Sequence, residues 1–191
     1  MLAINRGTSA ADDIPTAFKQ TEYTSTYADR IAQTPASTNK VVAFDGVRGE
    51  SLCTLKPPPD PDLDRILKQA GVDGIDYKNG VPDFSPVSKT QVEIDYMLGG
   101  VGNSGTTARR INFQQANEKL ASQLNESPSL AKQFGMDAGN IKPSDIEKYR
   151  VNNNLTWHEL NDAKTIQLIP SKINDSFGHL GGVDEINSRI R

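Results

Sequence analysis

Hydrophobic positions recur at helical spacing in two stretches. Leu63, Ile66, Leu67 and Ala70 lie three or four apart, with Gly71 behind them, which predicts a helix over 62–70 stopped by glycine. Ile111, Ala116, Leu120 and Leu124 fall near one face of a longer helix expected over 107–125. Elsewhere the apolar runs are short and bounded by turn residues, which is the signature of strands. These are 41–44 before Asp45-Gly46, 49–55 before Pro57-Pro58-Pro59, 91–97, 155–160 and 165–169. Asn79-Gly80 between Gly74–Tyr77 and Val81–Phe84 predicts a hairpin with a type I′ turn. A short helix is expected near 129–134. Another is expected to start at Ser144, where Ser144-Asp145-Ile146-Glu147 has the capping-box form, and to break at Asn152-Asn153-Asn154. The glycine-rich run 99–105 reads as a flexible loop, because it lacks the Lys-Ser/Thr ending of a phosphate-binding loop. The pattern gives an α+β fold. Residues 1–40, rich in Ser, Thr, Ala and Gln and without sustained period, read as a flexible arm or linker, and 41–191 as the folded domain.

Composition narrows the function classes. Hydrophobic residues make up 36 % of the chain, so a compact core is expected over about two-thirds of its length. A net charge of −3 excludes a protein that coats nucleic acid by bulk electrostatics, yet leaves room for an enzyme with a few well-placed cations. Cys53 stands alone, which excludes an intrachain disulfide and a cysteine-based zinc site. No apolar run approaches the roughly 20 residues of a membrane span. The first residues lack the basic and apolar regions of a secretory signal, so delivery is expected from a larger parent chain or a dedicated system.

Candidate chemistry collects near the C-terminus. The chain has two histidines, His158 in Thr156-Trp157-His158-Glu159 and His179 in Gly178-His179-Leu180-Gly181-Gly182. Between them lie the turn Asn161-Asp162-Ala163-Lys164, the strand expected over 165–169, and a helical segment opened by Pro170 and expected over 171–177 that carries Asn174. A hairpin followed by a helix holds a side chain from the first strand opposite side chains from the helix, with room for a divalent ion between them. Phosphodiester cleavage needs a base to activate water, a metal to take up charge, and a rigid frame. His158 is the expected base, with Glu159 as the alternative; Asn174 and His179 are expected metal ligands, and Asp162 a further oxygen ligand or a group that orients a histidine. Arg110, Lys164 and Lys172 are candidate phosphate contacts. Asp83 either supports the site or caps the hairpin. A competing reading makes both histidines structural parts of a non-catalytic binding module. A metal-dependent peptidase is disfavoured by the absence of His-Glu-x-x-His.

The blocks Trp157-His158-Glu159, Gln167-Leu168-Ile169-Pro170, Asn174 and Gly178–Gly182 resemble the HNH, or endonuclease VII (His-Me finger), nuclease domains of bacterial polymorphic toxins, a group that includes the colicin DNases. Residues 74–86, from Gly74 to Pro86, resemble the segment before that core, and Arg110 with Asn112-Phe113 fits as well. Arg48 and Glu50 also follow the pattern and are expected to form a structural ion pair. The resemblance spans roughly residues 41 to 187. It implies a ββα-metal core over about 154–182 and a metal-dependent endonuclease toxin used in interbacterial competition. DNA is the implied substrate, with RNA as the alternative; Mg2+ or Mn2+ is the expected ion, with Zn2+ or Ni2+ as alternatives. A cognate immunity protein and N-terminal delivery domains are implied partners, and the cytoplasm of the target bacterium is the implied place of action. The chain departs from the family at Glu159 and Asn174, where many relatives have histidine.

Overall fold

The computed structural model describes residues 14–190. The fold is α+β, with two small antiparallel sheets and helices packed around them. The first sheet has the order β1-β2-β3-β4, from β1 (Val42–Phe44), β2 (Leu52–Leu55), β3 (Gly74–Lys78) and β4 (Val81–Pro82). The second has the order β5-β7-β6, from β5 (Thr90–Glu93), β6 (Leu155–Glu159) and β7 (Thr165–Pro170). Helix α3 (Pro61–Gln69) connects β2 to β3. Three more, α4 (Asn103–Glu126), α5 (Pro128–Gln133) and α6 (Pro143–Asn152), lie between β5 and β6. Helices α7 (Ser171–Ser176) and α8 (Gly182–Asn187) close the chain.

Local chemistry accounts for most boundaries. Asp60 caps α3 by accepting from the backbone N–H of Asp62 and Leu63, and Gly71 adopts φ +71° behind it. Asn79 and Gly80 both take positive φ, as a type I′ turn demands. α6 starts earlier than the sequence suggests: Pro143 occupies its first turn, and the Asp145 carboxylate accepts from the Lys142 backbone N–H, so the box begins at Lys142, two residues upstream of Ser144. The glycine-rich run is also more ordered than expected, since α4 begins at Asn103 and includes Gly105.

Two apolar clusters flank β7, because successive side chains on a strand face opposite ways. Ile166 and Leu168 join Val92, Trp157, Leu120, Leu124 and Ile146 under α4, while Ile169 joins Ile75, Leu63, Phe84, Ile173 and Phe177 on the other side. Full burial of each such side chain contributes about 2 kcal/mol. The β6–β7 hairpin is therefore wedged between two cores.

Part of the stretch read as an arm or linker carries structure. α1 (Thr16–Lys19) joins the body through a small apolar cluster of Ala17 and Phe18 with Val81 and Leu160, whereas α2 (Tyr27–Gln33) is fastened by polar contacts. Ser25, Arg30 and Thr34 are buried. Arg30 donates to the Asn79 carbonyl and stacks 3.9 Å from the Tyr23 ring centroid. Residues 1–13 lie outside the described residues.

Candidate active site

The hairpin β6–β7 and the helix α7 after it deliver the two imidazoles to one place. His158 lies on β6 opposite Gln167 in the antiparallel register. His179 follows α7 in the loop before Gly181 and Gly182. Their ring centroids are 4.7 Å apart at 86°, and the Phe84 ring packs edge-on against both, at 4.8 and 5.3 Å. His179 Nδ1 lies 2.8 Å from the Phe177 carbonyl. A carbonyl only accepts, so Nδ1 carries the proton and Nε2 keeps a lone pair for a ligand. Burial, and then the neighbouring His179, hold His158 well below the ordinary imidazole range, with the Asn174 amide opposing. Burial likewise lowers His179, against the Phe177 carbonyl and Asp184. Both rings are neutral at pH 7.

Asn174 supplies a third donor. Its Oδ1 is buried without a hydrogen-bond partner, a costly condition for an amide oxygen. It lines the same cleft of about 300 Å³ as both histidines, together with Glu159, Arg109 and Asp184. No cluster of three or more His, Cys, Asp or Glu side chains suited to a metal occurs among the described residues. The local donor set is instead two neutral imidazoles and one orphaned amide oxygen. Those three donors fit a divalent ion, and imidazole chemistry favours Zn2+ or Ni2+ over Mg2+.

Glu159 follows His158 on β6 and so leaves the strand on the other face. Its carboxylate accepts from Asn112 Nδ2 at 2.8 Å, and the same Asn112 is fastened to the backbone of Leu98. Burial pushes the Glu159 carboxyl up to about 7, against Asn112 and Arg109. Sequence spacing does not reveal Asn112 or Arg109 as partners of Glu159, because they sit on α4, some 50 residues away. The hints in the sequence are that Asn112 stands in a block of the resemblance and that Arg109 and Asn112 lie three apart and so share a helix face.

Other sequence-predicted residues go elsewhere. Asp162, expected as a metal ligand, caps the β6–β7 turn: its carboxylate accepts from the N–H of Lys164 and Thr165 and from the Thr165 hydroxyl. Lys164 stands at that turn, 3.9 Å from Glu93. Lys172 pairs with Asp60 and Asp62 on α3 and its cap, across a separate groove. Asp83 caps its own turn through the Ser85 N–H. Arg48 and Glu50 are not partners of one another. Arg48 donates to Thr34 at the end of α2, and Glu50 accepts from the Asn79 N–H in the β3–β4 turn and from the Tyr27 hydroxyl of α2. Arg110 lines a cleft next to the site.

The loop that carries His179 is held from three sides. Tyr77 donates to the Gly178 carbonyl at 2.9 Å, and Asn161 donates to that of Leu180 at 3.0 Å. Glu185 on α8 accepts from the N–H groups of Thr24 and Ser25, from their hydroxyls and from Asn161. No helix of the described residues is long and apolar enough to cross a membrane.

No curated protein and no solved structure matches the chain. The family model described as the DNase/tRNase domain of colicin-like bacteriocin matches residues 74–181, which include the hairpin β3–β4, β6, β7, α7 and both histidines. That is more than half of the chain, and the chain belongs to this family of nuclease toxin domains.

Proposed function

We propose that the chain is a metal-dependent endonuclease module of the HNH type, with a ββα-metal core formed by β6, β7 and α7, acting on DNA in interbacterial competition. The observation that carries this reading is the convergence of two neutral imidazoles and an unpartnered amide oxygen beside a buried carboxylate. His158, His179 and Asn174 would hold the ion. When bound, it supplies charge neutralisation at the scissile phosphate and the leaving oxygen.

Glu159 is the general base in this reading. The His158 ring packs against Phe84 and His179 and feels the Asn174 amide, company that suits it to the donor set. Glu159 emerges on the other face of the same strand, is held by Asn112, and takes the proton from the attacking water. Arg109 lies within electrostatic reach of Glu159 and lines the cleft, placed to hold a non-bridging phosphate oxygen. The hydroxide so formed attacks phosphorus, the P–O3′ bond breaks, and the departing 3′ oxygen takes a proton from solvent water, leaving 5′-phosphate and 3′-hydroxyl ends. As a toxin, the module acts in the cytoplasm of the target bacterium after delivery by a larger parent protein, and its producer is protected by an immunity protein.

Purified protein with Zn2+, Ni2+, Mn2+ or Mg2+ is expected to cut plasmid, and EDTA to stop it. Glu159→Gln is expected to lower kcat by about 10²–10⁴-fold with unchanged metal affinity, whereas His158→Ala loses both turnover and metal binding. A His158→Ala protein that still binds the ion and loses only kcat would exchange the two roles. Intact plasmid together with cleaved RNA would move the substrate to RNA.

A further inference from the structure

A second cleft opens beside the imidazole pocket. It lies between α4 and α6, has a volume of about 550 Å³, and shares Arg109 and Phe113 with the pocket as a common wall. That volume lies within the range of small-ligand sites, about 300–1,000 Å³. Its lining combines three arginines with an aromatic floor. Arg109 and Arg110 are exposed and appear in no salt bridge among the described residues. Arg150 lies 5.4 Å from the Phe113 ring centroid. The lone carboxylate of the cleft, Glu147, is occupied by Arg150 and by Asn117. Phe113 and Pro143 supply the apolar surface.

On a chain of net charge −3, this local excess of cation stands out, and of the three arginines only Arg109 also lines the imidazole pocket. A polyanion whose scissile phosphate sits at Arg109 must run its neighbouring nucleotide out through the shared wall. There it meets guanidinium groups suited to phosphate and an aromatic face suited to a base. A base that is paired and stacked in a duplex cannot reach Phe113 without leaving its stack. We infer that this cleft is a subsite for one unpaired nucleotide flanking the cleavage point, so the enzyme selects single-stranded or locally opened nucleic acid. Arg110 contacts the flanking phosphate, and the Phe113 ring receives the base. The inference rests on the nuclease reading for its direction, but its test does not need turnover.

The test is equilibrium binding of the full chain in EDTA, read by fluorescence anisotropy, with a labelled 12-nucleotide single strand and a blunt duplex of the same sequence. The wild type is expected to bind the single strand roughly tenfold tighter, in line with about 1–3 kcal/mol for one stacked base. Phe113→Leu keeps an apolar side chain and is expected to erase most of that preference. Arg110→Ala, at an exposed helix position, is expected to weaken binding and to reduce the salt slope by about 0.7, the value of one single-strand phosphate contact. Equal affinity of the wild type for strand and duplex overturns the subsite, as does Phe113→Leu with the preference intact or Arg110→Ala with the slope intact. Cleavage of plasmid with any of those binding results leaves the nuclease assignment standing and removes only the subsite. The expected binding without cleavage under any of the four ions does the reverse.

Discussion

Gly182 shows how closely the site is fitted at the scale of a residue. A methyl group there would sit 2.6 Å from the Leu160 carbonyl oxygen, 2.6 Å from Met97 Sδ and 3.1 Å from Glu159 Cβ. The sulfur belongs to a flexible side chain, but the carbonyl is part of the segment that leaves β6. Adding the methyl therefore pushes the start of α8 away from the strand that carries His158 and Glu159. Alanine has the better helix propensity by up to about 1 kcal/mol, which opposes the clash only in part. Gly182→Ala is expected to lose about 1–3 kcal/mol in urea unfolding and at least roughly tenfold in plasmid cleavage, because small displacements of catalytic groups are expensive. Unchanged stability and turnover would mean that α8 can retreat without moving the site.

Among the elements, the attachment of 24–25 to α8 is the one that sequence pattern conceals. Its anchor is Glu185, which is 1 % exposed. Burial raises the Glu185 carboxyl, but hydrogen bonds from Ser25, Asn161 and Thr24 outweigh it, and the folded value lies below the ordinary 4.5. A lowered folded value means that the ionised form is stabilised by folding. That contribution is complete above about pH 4.5, and it fades as pH falls through 4.5 toward the folded value. Glu185→Gln is expected to cost about 2 kcal/mol at neutral pH, since hydrogen bonds to a charged group contribute about 1.5–3 kcal/mol each. The gap between variant and wild type is expected to narrow in acid, as measured by urea unfolding at about pH 7, 5 and 3.5. A constant gap would remove Glu185 as the titrating anchor. The same network explains what the sequence hides. Leu63, Ile66 and Leu67 announce α3 by apolar spacing, and Asn79-Gly80 announces its turn by backbone demand. The short runs 155–160 and 165–169 announce the hairpin. Thr24, Ser25 and Arg30 announce nothing, because their partners are Glu185 and Asn79, far along the chain. Asp162 misleads for the opposite reason: a carboxylate between two candidate ligands looks available until its own turn satisfies it.

Across the whole molecule, the site draws on both apolar clusters, so the proposed metal binding would be tied to global stability. Trp157, beside His158, is buried in one cluster, while Phe84, against both imidazoles, belongs to the other, as do Ile173 and Phe177 around Asn174. An unfolded chain cannot hold His158, Asn174 and His179 together, so an ion that needs all three binds the folded state alone. At about 100 times its Kd, such an ion stabilises the fold by about 2.7 kcal/mol. For a chain of this size, each kcal/mol is worth about 2–4 °C, so Tm is expected to rise by roughly 5–10 °C and to return on addition of EDTA. His179→Ala and Asn174→Ala are expected to abolish the shift, while Glu159→Gln, on the other face of β6, is expected to keep it. Donor chemistry further ranks the ions, with Zn2+ or Ni2+ giving the larger shift at equal concentration and Mg2+ the smaller. A thermal scan in which none of the four ions moves Tm, or in which Glu159→Gln erases the shift and Asn174→Ala does not, would break the link between these three donors and the metal.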